Sequence, residues 1–140
     1  MCIRDSLNDV FDKTWATFPS GEPAPAGEFW ADAIAAVKRS HPKFLFIAEA
    51  YWNLEPRLHT LGFDYIYDKA FYDELTRRDF GSLQAHVQST GAGFNPVRFL
   101  ENHDEPRIAS ILSVPEHKAA AIFLLNQPGM RLLHLSLIHI

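Results

Sequence analysis

An unbroken apolar run, Phe44–Ala48, is the feature that most constrains the fold of this chain. Such a run predicts a strand buried on both faces, which is typical of a parallel sheet covered by helices. A helix is predicted directly before it, over Glu28–His41, because apolar residues recur there at 3.6-residue spacing until Pro42 ends the pattern. Helices and parallel strands in succession predict an α/β protein.

The alternation of strands and helices continues along the sequence. Further strands are predicted at 63–67, 97–100 and 130–133, and helical segments at 54–61, 70–78, 82–89 and 115–126. This order predicts parallel βαβ units with right-handed crossovers. A (β/α)₈ barrel of about 250 residues is one candidate, of which the chain would hold about half. A doubly wound open sheet is the alternative, and periodicity alone does not separate the two.

Composition narrows the functional classes. The chain has 140 residues, 47% of them apolar and 21% charged, which is a globular composition. Thirteen basic against seventeen acidic side chains give a net charge of −4, which argues against nucleic acid as a partner. No apolar run reaches the roughly 18–20 residues of a membrane span, so no transmembrane helix is expected. A single cysteine excludes an internal disulfide.

The first and last six residues predict a foreign origin for both ends. The DNA sequence ATG-TGT-ATA-AGA-GAC-AG encodes the start of Met1–Ser6. Its reverse complement, CTG-TCT-CTT-ATA-CAC-AT, encodes Leu135–Ile140, and this DNA is similar to a transposon end used as a sequencing adaptor. We therefore expect residues 1–6 and 135–140 to be adaptor-derived tails and residues 7–134 to be the authentic segment. The natural ends and any targeting signal then lie outside this sequence, which leaves the localisation unknown.

Two groups of polar residues follow predicted buried strands. Glu49 comes directly after the first strand, with Tyr51 and Trp52 close behind it, and Glu101–Glu105 follows the strand at 97–100. Parallel α/β folds bind ligands at the carboxyl ends of their strands, so these carboxylates could converge on one substrate. One protonated and one ionised carboxyl group make the acid–base pair that glycoside hydrolysis needs. The aromatic faces would suit sugar rings.

Each group also has a structural interpretation. Glu49 could be a helix cap or a solvated loop carboxylate, and Asp104 could cap a helix that begins near Pro106. Arg107 is expected to form a salt bridge with a nearby carboxylate. No metal-ligand spacing, glycine-rich phosphate loop or Gly-x-Ser-x-Gly elbow occurs, so the residues predict no metal and no cofactor. A structural role is also favoured over a subsite for four residues in or directly after the strand at 63–67, namely Asp64, Tyr67, Asp68 and Lys69.

At these residues the sequence resembles the α-amylase family of glycoside hydrolases. Phe99–Asp104 is similar to the fourth conserved region of that family, after the seventh barrel strand, and Phe46–Trp52 to the third, after the fifth strand. Gly62–Tyr65 suits the sixth strand and Pro128–Leu133 the entry into the eighth. The resemblance implies an α/β fold, a partial (β/α)₈ TIM barrel within residues 7–134, running roughly from after strand 4 to the start of strand 8.

The resemblance also implies a role for each matched residue. Glu49 would be the general acid/base, and Asp104 the carboxylate that stabilises the transition state. Asn102 is carried over as a motif member and could serve as a scaffold of the loop. The substrate-binding residues would be His103, Asn102, Tyr51 and Trp52. The implied substrate is an α-glucan or malto-oligosaccharide, cleaved with retention by a hydrolase or a transglycosylase. Members of the family often bind calcium, but no ligand set is assigned in this sequence.

The sequence departs from the family at the nucleophile. The family uses an Asp in an Arg-x-Asp motif after the fourth strand, and no such motif precedes Glu49. Retention needs two carboxyl groups about 5–5.5 Å apart, so we expect an enzyme as the parent protein and no activity from this chain alone. A non-catalytic amylase-like domain used for binding or assembly is the alternative.

Overall fold

The computed structural model describes residues 2–3, 27–50, 53–89 and 93–134. The chain divides into two compact units, Met1–Tyr67 and Asp68–Ile140. Each unit combines parallel strands with helices, which confirms the α/β prediction. In the part of the chain that the structure describes, no helix has the length and apolar character to cross a membrane.

The first unit contains three strands and two helices. In chain order these are β1 (Cys2–Ile3), α1 (Phe29–Ser40), β2 (Ile47–Ala48), α2 (Glu55–Thr60) and β3 (Tyr65–Tyr67). β2 pairs in parallel with β1, where Ile47 lies opposite Cys2, and in parallel with β3, where Ile47 lies opposite Tyr65. β1 lies within residues 1–6, and the prediction that both ends are adaptor-derived stays a prediction.

Helix α1 packs against the turn that leads into β3. Ile34 is buried on the inner face of the helix, and a Cβ atom at Gly62 would lie 3.0 Å from Ile34 Cγ2. Gly62 also has a φ of +103°, a backbone conformation that residues with a side chain rarely adopt. Glycine therefore suits position 62, directly after the predicted helical segment 54–61, for two reasons: the backbone conformation and the close approach of α1.

The first predicted strand is shorter than its apolar run. Phe44 and Leu45 are 37% and 47% exposed, so the prediction of burial on both faces is wrong for these two residues. The Phe44 N–H donates to His41 O in the turn after α1, and the Phe46 N–H donates to Asp64 Oδ2 at 2.9 Å. Because these groups bond to a turn and a side chain, the regular ladder begins only at Ile47.

The second unit has two strands and four helices. They are α3 (Lys69–Arg77), α4 (Phe80–Ser89), β4 (Pro96–Arg98), α5 (Ile108–Ile111), α6 (Val114–Asn126) and β5 (Met130–Arg131). β4 and β5 are parallel, with Val97 opposite Met130. A side chain at Gly129 would meet Pro96 O at 2.6 Å, so glycine is required where the chain enters β5.

The core of the second unit lies between α3, α4, α6 and the end of β4. Phe71 is fully buried and stacks on Phe123 with 5.9 Å between the ring centroids. The other buried members are Leu75, Leu83, Leu100, Ile108, Leu112, Ala120 and Leu124. Helix α6 begins with a capping box in which Ser113 and Glu116 satisfy each other's backbone N–H groups. This packing fixes the end of β4, from which the candidate site residues extend.

Candidate active site

Glu49 directly follows β2, at the carboxyl end of that strand. Its side chain is only 4% exposed, between the fully buried Ala48 and Ala50. The interpretation of Glu49 as a solvated loop carboxylate is therefore wrong. Helix α2 has Leu54 as its N-cap residue, so Glu49 does not cap that helix either. Tyr51 and Trp52 lie outside the described residues, and their predicted contacts with substrate stay predictions.

The loop Glu101–Arg107 follows β4, at the carboxyl end of that strand. Asn102 is buried within it, whereas the side chains of His103 and Asp104 are 35% and 44% exposed. His103 Nε2 lies 3.3 Å from Asp104 Oδ2, so the two side chains form one polar pair on the outer face of the loop. The loop thus presents His103 and Asp104 outward, whereas Asn102, which was also predicted to bind substrate, turns inward.

Asn102 holds the loop from inside. Its Oδ1 accepts hydrogen bonds from the backbone N–H groups of Asp104, at 3.0 Å, and Glu105, at 2.9 Å. Its side chain is 1% exposed, which favours the scaffold role over a direct contact with sugar. Among the described residues, its Nδ2 has no hydrogen-bond partner. This arrangement makes the backbone of the neighbouring Asp104 depend on Asn102.

Glu101 closes the same loop at its far end. Its carboxylate accepts from the Ile108 N–H at 2.7 Å and forms a salt bridge with Arg107 Nη1 at 3.1 Å. The interpretation of Asp104 as the cap of the following helix is therefore wrong, because Glu101 supplies the carboxylate at the start of α5. The predicted salt bridge of Arg107 is confirmed. Asp104 is left with an exposed carboxylate that this helix does not use.

A buried charged cluster at the N-terminus of α3 was not predicted from the sequence. Asp68 and Arg98 are each 1% exposed, with Arg98 Nε 2.9 Å from Asp68 Oδ2. His86 Nε2 lies 2.6 Å from Asp68 Oδ1, which also accepts from the Phe71 N–H. The signal that could have revealed the cluster is an arginine inside the otherwise apolar strand segment 97–100.

The cluster shifts the pKa values of its members in opposite directions. Burial raises the pKa of Asp68, but the hydrogen bonds and charges of His86 and Arg98 outweigh it, and the pKa ends below its ordinary value. The hydrogen bond to Asp68 raises the pKa of His86, and partial burial opposes this. Asp68 thus serves the fold as an ion-pair centre.

The other residues considered as subsites also have structural partners. Asp64 accepts from Lys38 Nζ at 2.6 Å in addition to the Phe46 N–H, and Tyr67 is buried. Lys69 forms salt bridges with Asp73 and Glu105. These contacts agree with the structural role favoured by the sequence analysis.

Comparison with known proteins shows similarity at the level of structure. No family model matches the chain, and no curated protein matches it. An α-amylase of Anoxybacillus is similar with a TM-score of 0.63 and 24% identity, over 74% of this chain and 27% of that chain. The maltogenic α-amylase AmyB of Thermotoga neapolitana gives 0.61 and 24%, over 79% of this chain and 28% of that chain. The chain therefore has the fold of part of an α-amylase, which confirms the resemblance at the level of the fold.

Proposed function

We propose that residues 7–134 are part of the catalytic (β/α)₈ barrel of an α-glucan-active glycoside hydrolase or transglycosylase, from after strand 4 to the start of strand 8. One observation carries the proposal: in an amylase-like fold, Glu49 directly follows one parallel strand, and the pair His103–Asp104 lies in the loop after another. In such barrels the catalytic groups extend from the carboxyl ends of several strands.

In this proposal Glu49 is the general acid/base. Its protonated carboxyl group would donate a proton to the glycosidic oxygen as the leaving group departs. The resulting carboxylate would then take a proton from the attacking water, or from the hydroxyl of an acceptor sugar. A buried position suits this role because it limits the access of competing water to the carboxyl group.

Asp104 and His103 act on the sugar itself. The exposed Asp104 carboxylate would accept hydrogen bonds from sugar hydroxyls and stabilise the positive charge of the oxocarbenium-like transition state. His103, paired with it, would donate to a hydroxyl of the same sugar. Tyr51 and Trp52 would flank the ring, and Asn102 would support the loop.

Retention requires a carboxylate nucleophile, which this sequence does not supply in the family's motif. The proposal therefore assigns catalysis to a longer parent protein and expects no turnover by this chain alone. Residues 1–6 and 135–140 are proposed to be adaptor-derived and to have no part in the site.

A graft tests the proposal. Residues 7–134 replace the structurally matching segment of the Anoxybacillus α-amylase, which supplies the remainder of the barrel, and maltoheptaose hydrolysis is measured. We expect activity, and we expect Glu49→Gln to lower kcat by about 10²–10⁴-fold at unchanged circular dichroism and Tm. Glu55→Gln, at the start of α2, is the matched control and should have little effect. A folded graft without activity would contradict the proposal.

A non-catalytic amylase-like domain is the second candidate, and the missing nucleophile motif favours it. This candidate predicts that the graft binds maltoheptaose without cleaving it, and that Glu49→Gln changes neither property. The same set of variants therefore separates an enzyme from a binding domain.

A further inference from the structure

We propose that Lys69 and Tyr72 are positioning residues for Asp104, which they hold in place through Glu105. This inference rests on the proposed function, because it concerns the orientation of the carboxylate assigned there to the transition state. Lys69, Tyr72 and Glu105 are together called the loop anchor.

The loop anchor joins helix α3 to the residue that follows Asp104. Lys69 Nζ lies 3.0 Å from Glu105 Oε1, and the charge of that carboxylate contributes to the raised pKa of Tyr72 on the same helix. The Lys69 ammonium also lies 4.7 Å from the centroid of the Tyr72 ring. One carboxylate of the loop is therefore bound by the Lys69 cation, which also lies against the ring of Tyr72 one helical turn further along α3.

The anchor is partly shielded from water. The side chains of Lys69 and Glu105 are 22% and 18% exposed, and Tyr72 is buried with its ring stacked on Phe99. Burial and then the charge of Glu105 raise the pKa of Tyr72 to about 12, so its hydroxyl stays protonated at neutral pH. Shielded, charge-assisted contacts of this kind are stronger than ion pairs at an open surface.

The position of the anchor in the loop explains what it would do. Glu105 is held twice: Asn102 Oδ1 accepts from its backbone N–H, and α3 holds its side chain. The same Asn102 oxygen accepts from the Asp104 N–H. The backbone on both sides of the Asp104 side chain is thereby fixed, while that side chain remains on the outer face. Without the anchor, Asp104 would lose its fixed direction without a loss of the apolar core.

The experiment uses the full chain and two variants. Lys69→Gln removes the cation, and Tyr72→Phe removes only the hydroxyl group while the ring can still stack on Phe99. Amide hydrogen exchange is measured by NMR at Asp104 and Glu105, with Leu124 in the core of the second unit as the reference. In parallel, maltoheptaose is titrated and the shifts of the His103 ring are followed.

We expect both variants to speed exchange at Asp104 and Glu105 about tenfold, with Leu124 unchanged. The apparent Kd for maltoheptaose should rise severalfold. Lys69→Arg keeps the positive charge, so its exchange rates at Asp104 and Glu105 and its apparent Kd should stay close to those of wild type. Arg77→Gln is the matched control, because Arg77 lies on the same helix and pairs with Asp73, but its side chain is 72% exposed. This control should leave the exchange rates and the affinity as in wild type.

Three results would contradict the inference or its premise, and they are distinguishable. Unchanged exchange at Asp104 and Glu105 in both variants would show that the anchor does not hold the loop. Equally faster exchange at Leu124 would show that the anchor only supports the fold. If the grafted barrel folds but neither binds nor cleaves maltoheptaose, the proposed function fails, and with it the catalytic meaning of the anchor, whatever the exchange rates show.

Discussion

Two places in the second unit differ in how they use an acidic residue that follows a strand. At the junction of β3 and α3, Asp68 turns inward and is 1% exposed. In the loop Glu101–Arg107, Asn102 turns inward instead, and Asp104 remains 44% exposed. Both acids occupy the kind of position where α/β folds place ligands, yet their surroundings differ completely.

The difference lies in the donors that the fold itself supplies. Asp68 accepts from Arg98, His86 and a backbone N–H, so both of its oxygens are used by the protein. The Asp104 carboxylate is exposed, and the loop around it is held by Asn102, Glu101 and Glu105. A position after a strand therefore indicates a candidate, and the direction of the side chain separates an ion-pair centre, as at Asp68, from an exposed carboxylate, as at Asp104.

The largest effect on stability is expected from Arg98→Met. This substitution leaves the buried Asp68 carboxylate without its cation, which typically costs about 3–5 kcal/mol. Urea denaturation followed by far-UV circular dichroism would measure the loss. Arg39→Met on the exposed face of α1 is the control and should change the free energy of unfolding by less than about 0.5 kcal/mol. Similar values for the two variants would show that the Asp68 cluster does not stabilise the unit.

A smaller loss is expected from Asn102→Ala. Two backbone N–H groups lose their common acceptor inside the loop, which we expect to cost about 2 kcal/mol. The same denaturation experiment would measure it, with Asn126→Ala as the control, since Asn126 is exposed and bonds only within α6. A loss no larger than that of the control would mean that the loop does not depend on Asn102.

The cluster of Asp68, His86 and Arg98 should also make the stability of the second unit depend on pH. The raised pKa of His86 means that its stabilising contribution is fully present below about pH 6.5 and is lost as the pH rises through the folded-state value. The lowered pKa of Asp68 means that its contribution is present above 3.8 and is lost as the pH falls through the folded-state value. This cluster is therefore most stabilising between these two limits.

His86→Gln tests the upper limit. We expect it to flatten the fall in stability above about pH 6.5, with an effect on the order of 1 kcal/mol or less. Denaturation midpoints measured from pH 5.5 to 8.5 would show the change. His117→Gln on α6 is the control, and it should leave the pH dependence of the denaturation midpoint as in wild type. A wild-type profile that rises over this range, or one that His86→Gln leaves intact, would refute the assignment.

The smallest effect on stability is expected at the outward face of the loop. Asp104→Asn and His103→Gln should each change the free energy of unfolding by less than about 0.5 kcal/mol, because their side chains are exposed. In the grafted barrel, Asp104→Asn should nevertheless lower kcat/KM by about 10²–10³-fold. A large loss of stability would place Asp104 with Asp68 among the structural acids.

The helices were the most predictable part of the fold. The apolar stripe before Pro42 predicts α1 within one residue at each end, and Pro115–Asn126 predicts α6 to within one residue. Strand lengths were less predictable, because side chains distant in sequence decide where a ladder begins. Asp64 takes the Phe46 N–H, which no local pattern around Phe44–Ala48 could indicate.

The candidate site was predictable in its residues but not in its internal contacts. The position of Glu49 after a buried strand, and the motif ending at Asp104, could be read from the sequence. That Glu101 rather than Asp104 accepts at the start of α5 depends on how the loop closes on itself. Likewise, an arginine in a strand does not reveal that its partner is Asp68, 30 residues earlier.

The central proposal is that this sequence is part of a retaining enzyme in which Glu49 is the general acid/base and Asp104 is the carboxylate that stabilises the transition state. The most direct measurement is to sequence the source DNA across both ends and upstream of the Leu7 codon. The account predicts that both terminal hexapeptides disappear and that a strand ending in Arg-x-Asp stands before Leu7. A reading frame that truly starts at Met1, or that continues upstream without this aspartate, would contradict the catalytic claim and favour a non-catalytic amylase-like domain.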